Sequence, residues 1–310
     1  LFAASAARAQ SDWPSRPIRI VVPFPPGGIN DIVARPLAAR VQSEWSQPVV
    51  VDNRPAAGGN LGADLVARSA PDGYTLLLGS LGPLVVNPDL FEHMPFDPRT
   101  AFAPVSQIAA LPMLLCVNAG RPWRTLGDFV GAARAEPGRL TAGSAGSGSA
   151  LHIALELFNR AAGLRVTHVP YRGAAPAVTD LVAGQIDAII DTLGSIGAQL
   201  RAGTVRALAV AAPERLPQLP AVPTAAESGL PGFTFGAWAG LAAPAGTPAP
   251  VVERIAGLVA AAMREADTAA RLTEAGILPV GGTPAAFAAL LEAERARLGP
   301  LLRAAGIRAE

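Results

Sequence analysis

Short apolar runs alternate with helical patterns along almost the whole chain. Strands are predicted at 18–24, 48–52, 74–79, 140–142, 166–169, 186–191 and 205–211, and helices at 31–45, 61–69, 126–135, 150–162, 174–183 and 196–202. Alternation of this kind implies right-handed βαβ units and mainly parallel sheets with helices on both faces. The strand segments are continuous apolar runs rather than alternating ones, as a sheet covered on both sides requires. In the helix at 31–45, Ile32, Val33, Leu37 and Val41 recur on one face, and Asn30 or Asp31 can cap the start. Pro36 is placed near the first turn of that helix, where its missing N–H costs least.

The apolar run 104–118 is too long for one strand of one small sheet. It is read as the first crossing between two lobes, with a break near Pro112. The proline-rich stretch 213–231 and a strand at 233–242 form the return crossing. Helices at 250–266, 269–275 and 284–304 then pack back on the first lobe. The expected architecture is a two-lobed α/β fold, each lobe a mainly parallel sheet flanked by helices, joined by a two-segment hinge. Lobe 1 takes residues 12–110 and 222–310, lobe 2 takes 111–221, and 1–11 is the remnant of an export signal. Two crossings make a hinge, with the ligand in the cleft between the lobes.

Two loops carry the candidate chemistry. In 18–31 a strand runs into Pro23-Phe24-Pro25-Pro26-Gly27-Gly28-Ile29-Asn30-Asp31, where a helix begins at once. Free N–H groups of Gly28, Ile29, Asn30 and Asp31 at a helix start suit a carboxylate or phosphate; Ile29 narrows the mouth, and Phe24 and Gly27 are placed in the same ligand site. The segment 140–152 repeats the design with Ser144, Gly146, Ser147, Ser149, Ala150 and His152. One serine is expected to cap the helix, and one or two to meet ligand. Tyr171, Gly173 and Ala174 end another strand and can join the same site; Arg172 is either a carboxylate clamp or a solvated surface residue. Asp191 closes a strand and is either an acceptor for a ligand ammonium or hydroxyl, which favours an acidic amino acid, or a cap for the next turn. Ser80 and Trp238 are further cleft candidates.

Composition removes other classes. Net charge is +1, which argues against nucleic acid as a partner. All 25 basic residues are arginine, so Schiff-base and Walker A chemistry have no lysine to use. Cys116 has no second cysteine and lies in an apolar run, as a core thiol does. No stretch is long and apolar enough to span a membrane, while Ala7-Arg8-Ala9 after an apolar run fits a signal-cleavage site. Three histidines lack metal-ligand spacing, so no metal or other cofactor is expected. Neither a G-x-S-x-G elbow nor a full G-x-G-x-x-G fingerprint is present, leaving a serine of 144–149 as the one enzymatic alternative, an exported hydrolase or transferase.

Several segments together carry a resemblance: 13–31, Asp52-Asn53-Arg54-Pro55-Ala56-Ala57-Gly58-Gly59-Asn60, Ala70-Pro71-Asp72-Gly73-Tyr74, Val169-Pro170-Tyr171-Arg172-Gly173, the run 179–187, Val222-Pro223-Thr224 and Ala243-Pro244-Ala245-Gly246-Thr247-Pro248. In this order the chain resembles the Bug-type extracytoplasmic solute receptors, the binding proteins of tripartite tricarboxylate transporters. The resemblance implies a periplasmic, monomeric receptor for a small organic carboxylate, an acidic amino acid or a di- or tricarboxylate. It implies transporter membrane subunits, or a sensor domain, as partners. Where that family commonly shows Gly-Gly-Gly-Thr-Asp, this chain has Gly27-Gly28-Ile29-Asn30-Asp31.

Overall fold

The computed structural model describes residues 13–27 and 29–308; the expected signal remnant and Gly28 lie outside them. The chain opens with β1 (Ile18–Val22), α1 (Ile29–Trp45), β2 (Val49–Asn53), α2 (Asn60–Ala67) and β3 (Thr75–Ser80). β1 pairs in parallel with both β2 and β3, so this half is built of βαβ units. A π-helical turn (Gly82–Val86) and the short α3 (Asn87–Leu90) follow, neither of which the hydrophobic pattern predicts.

The second half repeats the plan with α4 (Leu126–Ala135), β5 (Thr141–Ser144), α5 (Ala150–Ala162), β6 (Thr167–Pro170), α6 (Ala174–Val182) and β7 (Ala188–Thr192). β5 pairs in parallel with β6 and β7. Local chemistry fixes the helix ends. Thr125 and Asp128 form a reciprocal capping box on α4, and Ser149 caps α5, which stops at Gly163 in the left-handed conformation.

Between the halves runs β4 (Phe102–Asn118), 17 residues without interruption. Its first part, to Pro112, pairs with β9 (Gly236–Pro244); from Met113 onward it pairs with β7 and with β8 (Val205–Val210). The predicted break at Pro112 is thus a change of neighbours within one strand. The return path lies beside it: Ala211 N–H donates to the Met113 carbonyl at 2.8 Å and Phe235 N–H to the Ala211 carbonyl at 2.9 Å. Both crossings run antiparallel to their neighbours, which places antiparallel pairing at the centre of a sheet whose ends are parallel.

α7 (Leu193–Arg201), α8 (Ala249–Arg264), α9 (Ala266–Glu274), the short β10 (Leu278–Pro279) and α10 (Pro284–Ala305) complete the chain. Two expectations change here. α10 packs on β4 and touches α5 as well as α8, because a helix of 22 residues spans about 33 Å and reaches both halves. Pro36 lies inside α1, whose first turn begins at Ile29, so it removes an interior N–H rather than a terminal one. Cys116 is fully buried, and burial pushes its thiol far up from the usual range.

Candidate functional site

A cavity of about 540 Å³ opens between the two halves at the C-terminal ends of β1, β3, β5 and β6. From the first half come Phe24, Gly58, Ser80, Leu81, Gly82, Val86, Asn87, Leu90 and Phe91. From the second come the loop Ala145–Gly146–Ser147–Gly148–Ser149–Ala150, then Ile153, Tyr171 and Arg172, with Ala237 of β9 alongside. Crevices outside the carboxyl ends of parallel strands are where open α/β sheets bind ligands.

The loop is held from behind by an inward-facing network. Ser144 ends β5 with no exposure; its Oγ lies 2.6 Å from His168 Nε2 and exchanges hydrogen bonds of 3.1 Å with the Gly146 backbone. Gly148 N–H donates to His152 Nδ1 at 3.1 Å, and Ser149 Oγ accepts from His152 N–H. The rings of His152 and His168 stack with centroids 3.7 Å apart. Burial and the neighbouring His168 lower His152 to a pKa of about 4. Nδ1 therefore accepts, and the remaining proton sits on Nε2, 3.9 Å from Glu156. With the imidazole neutral that contact is not an ion pair, and burial raises Glu156 above its ordinary value.

This network assigns roles that sequence alone left open. Gly146 and Gly148, expected to offer N–H groups to ligand, spend them on Ser144 and His152. Ser149 is the capping serine. Ala150 and Leu151 open α5, where backbone N–H groups have no intrahelical acceptor. Ser147 lines the cavity. Ser144 and His168 form a serine–histidine pair, but Ser144 is sealed from the cavity, and a nucleophile must reach its substrate.

The first loop is arranged differently from expectation. Asp31 is buried at the start of α1, and its carboxylate accepts from Gly27 N–H at 3.0 Å, Asn53 Nδ2 at 3.1 Å and Arg35 Nε at 2.8 Å. Burial alone would raise it; Arg35, Gly27 and Asn53 outweigh burial and hold it below the usual carboxylate range. The chain thus places its own carboxylate where an anion was expected. Gly27 and Ile29 border a second, larger space of about 840 Å³ with Leu193, Gly194 and Ser195, and Asn30 borders neither cavity. Asp31→Ala is expected to cost about 2 kcal/mol in urea unfolding. Arg35 is more than half exposed and stays hydrated, so the loss comes mainly from Gly27 and Asn53.

Other predicted residues turn inward. Asp191 is 2% exposed, accepting from Thr192 N–H at 2.7 Å and Ser195 Oγ at 2.6 Å; burial raises it to a pKa of about 6. Gly173 holds a φ of 111° before α6, and neither it nor Ala174 borders the cavity. Tyr171 shows its ring to the cavity while its hydroxyl donates to Asp180 at 2.7 Å. Trp238 packs edge-on against Phe287, and its neighbour Ala237 is the one that faces the cavity. The sequence reading missed Gly58, the 81–91 segment, Ile153 and Ala237. Gly82-Pro83 directly after a strand was the available signal. No trio of metal-ligating side chains occurs among the described residues, and no helix among them is long and apolar enough to cross a membrane.

Comparison with known proteins identifies the family and the fold. A family profile described as "Tripartite tricarboxylate transporter family receptor" matches residues 33–307. Protein BugT of Bordetella pertussis is 37% identical over 281 residues, 90% of this chain and 86% of BugT. The structure of R. palustris Rpa4515 with adipate is 38% identical, with a TM-score of 0.82 over 96% of this chain and 99% of that one. MatC from Rhodopseudomonas palustris with bound malate is 38% identical, with a TM-score of 0.77 over 94% and 100%. With a profile spanning most of its length and relatives this similar, the chain belongs to the tripartite tricarboxylate transporter receptor family, and its fold is that of the periplasmic binding proteins.

Proposed function

We propose that this chain is a periplasmic receptor that captures one small organic acid in the 540 Å³ cavity and presents it to the membrane subunits of a tripartite transporter. The observation that carries the reading is the loop 145–150. It brings serine hydroxyls and the N-terminus of α5 to a cavity whose opposite wall belongs to the other half of the chain. A carboxylate at a helix start is favoured by free N–H groups and by the helix dipole. Two lobes, 12–110 with 222–310 against 111–221, would close on the ligand about the adjacent crossings at Met113, Ala211 and Phe235. Closure is driven by contacts made only when both walls meet the ligand.

Asp191 acts as a scaffold residue in this reading, since both its oxygens are bonded to Thr192 and Ser195. Adipate and malate, the acids in the two similar structures, contain no nitrogen. An ammonium reader is therefore not required. Ser80, Ser147, Ser149, Ala150, Tyr171 and Arg172 are proposed to contact ligand, with Phe24 and Phe91 as walls.

The test is mass spectrometry of small molecules released on heat denaturation of purified protein, joined to calorimetry with a panel of carboxylates. Stoichiometric acid is expected. In the Ala237→Trp variant, which fills the cavity from β9, affinity should fall about 100-fold or more while the melting temperature stays near that of the parent. Product formation from an ester panel, with no stable binding, would replace the receptor by the enzymatic reading.

A further inference from the structure

The walls of the cavity differ in polarity, and that difference bears on which acid fits. The second half contributes the polar wall: loop 145–150, the opening turn of α5, and Arg172 at the rim. Arg172 is the one charged side chain among the described lining residues, is exposed, and has no ion-pair partner among them.

The first half contributes Phe24, Leu81, Val86, Leu90 and Phe91, with Ala237 beside them. Its polar groups are mostly engaged elsewhere. Asn87 Nδ2 donates to the Gly58 carbonyl at 3.1 Å and to Asn60 Oδ1 at 2.6 Å. The N–H of Gly27, in the loop that could have held a second anion, is taken by Asp31. Ser80 alone offers a hydroxyl on this side.

Charge bookkeeping then separates mono- from dicarboxylates. One guanidinium and one helix start can balance one carboxylate. A second carboxylate reaching the opposite wall would leave water for a wall that is mostly aliphatic and aromatic carbon, with one side-chain hydroxyl and no charged side chain among its described residues to meet it, and an ion buried without a partner is strongly disfavoured. An apolar body on the same wall gains from burial.

We infer that this receptor selects a monocarboxylate with an apolar body, its carboxylate at loop 145–150 and Arg172 and its hydrocarbon against Phe24, Leu81, Val86, Leu90 and Phe91. The inference rests on the proposed receptor function and names its substrate class. The similar structures with adipate and malate mark the alternative, a diacid held at both ends.

The discriminating experiment is isothermal titration of the full chain, dialysed free of small molecules, with hexanoate and adipate. Hexanoate is adipate with one carboxylate replaced by a methyl group, so chain length is held fixed. Hexanoate should bind at least about tenfold more tightly, the equivalent of 1.4 kcal/mol. Phe91→Arg, placing a cation on the apolar wall at a half-buried position, should shift the hexanoate-to-adipate ratio toward adipate by about tenfold or more, with folding checked by circular dichroism. Adipate binding as tightly as hexanoate to the parent protein would overturn the inference and leave the receptor standing. Binding of neither, and of no other acid in the panel, would overturn the receptor reading itself.

Discussion

Gly240→Ala should destabilise the protein by about 3 kcal/mol, and Gly240→Val by more, in urea unfolding followed by circular dichroism. A Cβ on Gly240 would lie 2.2 Å from Phe287 Cζ and 2.7 Å from Cε2, well inside any permitted contact. The ring cannot swing away: Phe287 is 1% exposed and packs edge-on against Trp238 at 5.5 Å. The strand cannot shift either, because β9 is paired on both edges, Gly240 opposite Gly79 of β3 and Gln107 of β4. Gly79 is constrained on the same face, where a Cβ would meet Leu84 Cδ1 at 2.6 Å. Two facing glycines thus make a flat strip on which α10 and the π-helical turn both sit. Phe287→Leu should recover part of the loss in the double variant, since the two sites share one contact. Gly240→Ala with parental stability would mean that α10 does not press on β9 as described.

That strip also shows what the sequence could and could not reveal. Regular elements with a clear period and a cap were legible: α4 and α5 fall on the predicted boundaries, and Thr125 and Ser149 cap them. The crossing strand was legible as a run too long for one sheet, but its continuity through Pro112 was not, because the partner switch depends on tertiary pairing. The segment from Leu81 to Phe91 was illegible for a different reason. Its Leu84, Val85, Val86 and Leu90 follow no helical or strand period, since a π turn and a one-turn helix place some side chains in the core and others on the cavity.

At the site, the residue types were legible and their directions were not. Loop 145–150 was recognisable from its serines and glycines ahead of a helix. Which N–H groups stay free depended on His152 and Ser144, whose inward turn no spacing encodes. Asp31 was read as part of an anion cradle and instead supplies the anion, because a carboxylate in the first helical turn can fold back on the loop before it. Asp191 likewise looked like a ligand group at a strand end and closes on Ser195 within its own turn.

The inward-facing groups make a second, pH-dependent expectation, and its sign can be worked out for each. His152 has a folded pKa of about 4 against an ordinary 6.5. Its contribution to stability is complete above 6.5 and is lost as pH falls through that value toward 4, because the unfolded chain takes up the proton first. Asp191 has a folded pKa of about 6 against an ordinary 3.8. Its contribution is complete below 3.8 and is lost as pH rises through 6. Each shift corresponds to about 3 kcal/mol, and over pH 4 to 6 the two nearly cancel. Single variants separate them. Asp191→Asn should gain on the parent by up to about 3 kcal/mol between pH 4 and 7, whereas His152→Gln should fall behind it by a similar amount between pH 4 and 6.5. Carboxylates common to all three proteins drop out of these differences, and lost contacts add only a constant offset. Curves parallel to the parent for both variants would remove the buried-titration account. The His152 arm reaches the site directly, since an imidazolium cannot accept Gly148 N–H. The loop that borders the cavity keeps its shape only while that ring is neutral, so acid should loosen ligand and fold through the same proton.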